Sequence, residues 1–199
     1  MACDITRGRK IDCKNSIGGL KAIYFSKAYS NNILERATIT NTEMTEADWE
    51  NWTAGTGTAF ALFKYELVSN LSSMTVNINS DNANGTTFFE QTLSVTLQKI
   101  DHDMTNELRL MAYSRAQIFV QDSNDNVYLL GLESGCHVSG GTVVTGTAKG
   151  DLTGYTIDFS AQEKDAIIQL PIAADPSADK FPFSGLPAGD ISALSISDS

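Results

Sequence analysis

Proline is missing from residues 1–170 of this 199-residue chain; all four prolines (Pro171, Pro176, Pro182, Pro187) fall in the last 29 residues. Proline cannot donate to a β-ladder and is kept out of central strands, so a proline-free stretch of this length suits an extensive sheet. Cations are also scarce: 14 Lys and Arg stand against 24 Asp and Glu, a net charge of −10. Nucleic-acid binders need cations at the phosphates, and proteins of anionic membrane surfaces need them likewise, so both roles are disfavoured. No apolar run nears the roughly 20 residues of a membrane helix. The start, Met1-Ala2-Cys3-Asp4, has no apolar segment of signal-peptide type. The expectation is a protein made and folded in the cytoplasm without a membrane anchor.

Groups that carry chemistry are few: three cysteines (Cys3, Cys13, Cys136) and two histidines (His102, His137). An odd cysteine count at wide spacing is no disulfide framework, and no CxxC pair offers a zinc or redox site. Reduced thiols are expected, with a Cys3–Cys13 bridge as the alternative. His102 lies between Asp101 and Asp103, and His137 follows Cys136. Adjacent residues on a strand point to opposite faces, so Cys136 and His137 are poorly placed as nucleophile and base. Asp122-Ser123-Asn124-Asp125-Asn126 has the acids and amides of a calcium loop. It places Val127 where the loop needs glycine and lacks the later bidentate Glu, so it reads as a hairpin turn. Gly18-Gly19 and Gly140-Gly141 lack the helix start that a phosphate loop requires. The residues therefore point to a non-catalytic protein with no cofactor, no metal and no small-molecule ligand.

What is present reads as strands. Residues 20–25 (LKAIYF) form the first apolar run, residues 33–40 (ILERATIT) are β-branched, and residues 59–68 (AFALFKYELV) are rich in aromatics. In residues 73–79, Met74, Val76 and Ile78 alternate with Thr75, Asn77 and Asn79, the period of a half-buried strand. The DNANG run at 81–85 is a turn signal. Residues 86–100 hold the longest strand pattern, with Phe89, Gln91, Leu93, Val95 and Leu97 on one parity and Thr92, Ser94 and Thr96 on the other. Residues 104–115 place Met104, Leu108, Met111 and Ala112 at helical spacing, with Asp103 or Thr105 as N-cap. A polar segment, 42–53, with Trp49 and Trp52, can make one helical turn capped by Thr45. Residues 116–121 and 127–132 pair as a hairpin across 122–126. Residues 133–151, rich in Gly, Ser and Thr, suit a loop or a bulged strand pair. Residues 153–160 alternate Tyr155, Ile157 and Phe159 with polar partners, and residues 166–170 can close the sheet. The expected fold class is mainly β: an antiparallel β-sandwich or barrel with one α-helix and extended N- and C-terminal arms.

Charge divides the chain further. Residues 1–36 hold seven bases and three acids, while residues 37–199 carry a net charge of −14. A basic arm beside an acidic body suggests attraction between copies, with Arg7, Arg9, Lys10 and Lys14 as the inter-subunit contacts. The expected organisation is a basic arm (1–19), a β domain (20–170) and an acidic, proline-containing strap (171–199) that docks on a neighbour or hangs loose.

Several segments together resemble the major tail tube proteins of long-tailed bacteriophages. They are the opening ACDITRGRKIDCKNSIGGLKAIYF, the strand GTTFFEQTLSVTLQK followed by the helix MTNELRLMAYSR, the hairpin FVQDSNDNVYLLGLESG, and GYTIDFSAQEK. The resemblance spans roughly residues 1–165; the tail from Pro171 departs from it. It implies a virion structural protein whose subunits form six-membered rings that stack into a hollow tube. In such rings an inner sheet from all six copies joins edge to edge and lines the lumen. It also implies other tail proteins as partners, and double-stranded DNA that passes an acidic lumen without specific binding. Two alternatives stay open: a capsid decoration or head–tail connector protein, and a carbohydrate- or receptor-binding module using Trp49 and Trp52.

Overall fold

A computed structural model describes residues 9, 14, 16–26, 60–68, 70–170, 181–183 and 194–198. The expected strand at 33–40, the segment around Trp49 and Trp52, Cys3 and Cys13 lie outside the described residues. The described chain is mainly β, with one helix and two sheets that do not close into a barrel.

The elements run β1 (Leu20–Ser26), β2 (Phe60–Glu66), β3 (Ser73–Asp81), β4 (Thr86–Gln98), α1 (His102–Tyr113), β5 (Ile118–Asp122), β6 (Val127–Leu130), β7 (His137–Val144), β8 (Gly154–Glu163), β9 (Ile168–Gln169) and β10 (Leu194–Asp198). One sheet has six strands in the order β10-β2-β1-β5-β6-β9; the other has four, β3-β4-β8-β7. Neighbours are antiparallel except β10 and β2, which run parallel.

β1 is central in the six-stranded sheet and buried at every position but Lys21. A strand covered on both faces reads as a continuous apolar run rather than an alternating one, and LKAIYF is such a run. Ile23 and Phe25 of β1, with Ile118 and Val120 of β5, pack on Leu93 and Val95 of β4 and on Tyr155, Ile157 and Phe159 of β8. This is the core between the sheets. On the opposite face of the six-stranded sheet, Tyr24, Leu62, Phe119 and Leu129 build a second core.

The second core corrects the expectation for the C-terminal strap. Phe183 is 1% exposed and meets Tyr24 and Phe119 edge-on, with ring centroids 5.0 and 5.6 Å away. β10 adds a strand beside β2 of its own chain. The described parts of the tail therefore cover this chain's own sheet. Burying one such aromatic contributes about 1.5–3 kcal/mol, about the cost of ordering one or two residues.

α1 matches the expected spacing, since Met104, Leu108 and Met111 lean on the core between the sheets, although none is fully buried. Its start differs from the expectation. The N-cap is Asp101, not Asp103 or Thr105, and Asp101 makes no side-chain cap. The Thr105 hydroxyl donates to the Asp101 carbonyl at 2.7 Å, and the Tyr155 hydroxyl donates to the same carbonyl at 3.0 Å. The first turn is thus pinned to β8. No helix among the described residues is long and apolar enough to cross a membrane.

Candidate functional site

The four-stranded sheet has one face in the core and one outside it. Its inward parity (Leu93, Val95, Tyr155, Ile157, Phe159) lies in the core between the sheets. The outward parity is set by register: one row joins Thr75, Thr92, Ser160 and His137, the next Ser73, Ser94, Asp158 and Gly140, and a third Thr96, Thr156 and Thr142. The result is a hydroxyl-rich face with three carboxylates, Asp81 at the hairpin tip, Glu90 and Asp158. The Ser94 hydroxyl donates to Asp158 at 2.6 Å and fixes that carboxylate in the middle of the face. None of the four strands contains a lysine or an arginine.

Both edges of this sheet are long. β3 and β7 each pair on one side only among the described residues. The six-stranded sheet ends differently, at the two-residue β9 on one side and at β10 on the other. Bare edges are templates for pairing with another chain, and monomers guard them with Lys, Pro or brevity. Neither β3 nor β7 is short or carries Lys or Pro, although β7 has a register shift between Val138 and Gly140, and both show apolar side chains to solvent: Ile78 is 69% exposed and Val143 56%. The β3–β4 hairpin also projects, because Thr86, Thr87 and Phe88 pair with β3 but not with β8. The Asp81 carboxylate accepts the Ala83 amide at 2.8 Å and holds the hairpin tip; these hydrogen bonds lower its pKa below the usual carboxylate range.

β7 takes up part of the Gly-, Ser- and Thr-rich stretch, with a register shift between Val138 and Gly140. Glycine is needed at position 141, where a Cβ would stand 2.9 Å from the Thr156 carbonyl. A clamp positions the loop that leads into β7. Glu163, 4% exposed, accepts the amides of Glu133 and Ser134 at 3.0–3.1 Å. The Gly131 amide donates to the Gln91 side chain at 2.9 Å. Burial raises the Glu163 pKa above the usual glutamate range, the two amides oppose that rise, and the charges of Glu133 and Asp165 add to it.

The residues singled out for chemistry fall apart in space or in exposure. Cys136 is buried at the base of this loop, and burial together with Glu163 pushes its thiol pKa up, so it stays protonated. His137 is exposed at the start of β7, and His102 is exposed at the start of α1. The Asp122–Asn126 segment is a hairpin turn whose carboxylate accepts the amides of Asn124 and Asn126, both at 2.8 Å. Of the basic arm, Arg9 and Lys14 are exposed, and Arg7 and Lys10 lie outside the described residues. The arm's root is fixed, because Ile17 exchanges two hydrogen bonds with Asn124, at 2.9 and 2.8 Å. Unpaired edges are not visible in a sequence, where β3 and β7 look like any other strand; the lack of Lys and Arg does not single this sheet out either, since β5 and β6 of the other sheet lack them too.

The chain matches no protein-family model, no curated protein and no solved structure at a significant level.

Proposed function

We propose that this chain is a tail tube subunit of a long-tailed bacteriophage, a non-catalytic virion protein whose copies close into six-membered rings that stack. In this reading β7 of one copy pairs with β3 of the next, a heterologous contact that generates a ring when the rotation closes. The outward face of the four-stranded sheet then lines the lumen. The observation that carries the reading is the combination, in one sheet, of two long edges that lack lysine and proline and pair on one side only among the described residues, and a face with carboxylates but no lysine or arginine. Without cations there is no counterion release to hold duplex DNA, so a genome slides past instead of binding. The tube ends would meet other tail proteins. The resemblance of residues 1–165 supplies the virion setting.

Negative-stain electron microscopy of the purified protein at neutral pH, across a range of salt, tests this directly. Six-fold rings or hollow tubes are expected. The paired variants Ile78→Lys and Val143→Lys place a guard on each edge. Both positions are exposed, so stability should stay within about 0.5 kcal/mol while rings disappear. Monomers or trimers of the unaltered chain at every salt concentration would overturn the reading in favour of a decoration or receptor-binding protein.

A further inference from the structure

An apolar groove of about 590 Å³ opens between α1 and the ends of β1 and β2. Its floor is aromatic: Phe25 stands edge-on to Tyr65 at 5.3 Å and tilted on Phe159 at 5.4 Å. Its mouth carries Phe63 and Leu110, the latter 61% exposed. Asp103 and Glu107, one helical turn apart on α1, line the rim. Neither has an ion-pair partner among the described residues. The one lysine lining the groove, Lys64, is paired with Glu66 at 2.8 Å. The Tyr65 pKa is raised by burial first and by the Glu107 charge second.

The groove wants an apolar residue flanked by cations, and the chain carries such a segment. Residues 9–14 read Arg-Lys-Ile-Asp-Cys-Lys, with Ile11 between Arg9–Lys10 and Lys14. The arm is rooted at the other pole of the domain. Ile17 is tied to Asn124 in the β5–β6 turn, where β1 begins, whereas the groove lies where β1 ends, at Phe25 and Ser26. At ~3.3 Å per residue the two ends of β1 are about 20 Å apart. The six residues from Ile17 to Ile11 reach at most about 20 Å. To seat Ile11 in its own groove the arm would have to run back fully extended along β1, whereas a copy stacked end to end presents its groove at the pole where the arm leaves.

We infer that the groove under α1 is the receptor for the basic N-terminal arm of a second copy, with Ile11 seated among Phe25, Tyr65 and Leu110 and with Arg9, Lys10 and Lys14 facing Asp103 and Glu107. The contact is head-to-tail and joins copies along the axis, where the sheet edges join them around a ring. It rests on the reading that copies associate, and not on six-fold closure or on a virion.

Zero-length carbodiimide cross-linking of the full chain tests it, using an equimolar mixture of ¹⁴N and ¹⁵N protein. The expected product couples Lys10 or Lys14 to Asp103 or Glu107 in peptides of mixed isotope. Same-isotope pairs alone would mean that the arm folds back on its own groove and would overturn the proposal, as would the absence of these pairs. Sedimentation at low salt gives a second readout. The variants D103N/E107Q and R9S/K10S should each weaken self-association by roughly three- to tenfold, and combining all four should weaken it no further. Additive losses would overturn the contact. Rings without the cross-link would remove this proposal and leave the tube reading standing; cross-linked chains without rings would do the reverse.

Discussion

In the six-stranded sheet, β1 has neighbours above and below: Ile23 faces the second sheet, while Tyr24 faces Phe183 and the C-terminal segment. In the four-stranded sheet only alternate side chains are covered, and the others form rows of Thr, Ser and Asn. The longer ladders are in the four-stranded sheet, where β4 pairs with β8 from Phe89 to Gln98, so hydrogen bonding is not what makes the six-stranded sheet the core. What differs is how much water each face keeps and whether the edges are closed. The first sheet is core in both directions and holds the domain together. The second spends one face on the core, and no element among the described residues covers its other face or pairs with its two edges.

The largest expected effect comes from placing the same charge in each sheet. Lysine in place of Ala22, on the buried strand β1, must leave water with no partner; the loss is several kcal/mol and is expected to prevent folding. Lysine in place of Thr75, on the exposed face of β3, should leave stability within about 0.5 kcal/mol. The Thr75→Lys chain alone, one charge short of −10, should not retain linear duplex DNA, whereas six copies closed into a ring would put six cations on one face and should retain it at low salt and release it at higher salt. Chemical denaturation and a gel-shift titration read the two effects. A strongly destabilised Thr75→Lys protein would show that this face is covered and would erase the contrast.

A truncation series sharpens the same contrast on a smaller scale. Phe119→Ala removes a fully buried ring from the second core and should cost about 3–5 kcal/mol. Val76→Ala, on the half-covered strand β3, should cost about 1 kcal/mol. Urea midpoints compare them directly. Similar losses would mean that β3 is buried as deeply as β5.

Much of this architecture was legible in the sequence, and for physical reasons. Tyr155, Ile157 and Phe159, and likewise Leu93 and Val95, announce themselves because a sheet with one wet face imposes period two. The run LKAIYF announces a strand covered on both sides. β7 was less legible, because Gly140 and Gly141 have poor strand propensity and are tolerated only where another backbone comes close. The N-cap was misread because Asp103 and Thr105 both look like caps, whereas the helix start is fixed from outside by Tyr155, 50 residues further on. Phe183 looked like strap and is core, since nothing local tells an aromatic in a proline-rich tail which surface it will cover. The candidate site was the least legible part. The edges depend on which strands pair, and the groove draws on β1, β2, α1, β8 and β10, with no local sequence signature.

Glu163 gives the smallest effect, and it bears on the free edge of the four-stranded sheet. It is a carboxylate on the inward parity of β8, and its two amide partners belong to the loop that delivers β7. Its pKa is raised in the folded chain, with burial as the largest cause. Its contribution to stability is therefore fully present below the ordinary glutamate range and is lost as pH rises through the folded value. Gln in its place keeps an oxygen for the two amides and removes the buried charge. Glu163→Gln should leave the protein more stable than the unaltered chain at pH 7, by about 1 kcal/mol, with the difference shrinking as pH falls toward about 4. Urea midpoints of both proteins across that range measure it. Asp81 contributes in the opposite sense: its pKa is lowered, so what it adds to the β3–β4 hairpin is present above the ordinary aspartate range and fades in acid. That term is common to both proteins and cancels in the comparison. A difference that stayed constant with pH would show that Glu163 acts through its shape and hydrogen bonds alone. A difference that grows with pH would show that the loop feeding β7 is held at a cost in charge, since the buried carboxylate that accepts its two amides must ionise as pH rises.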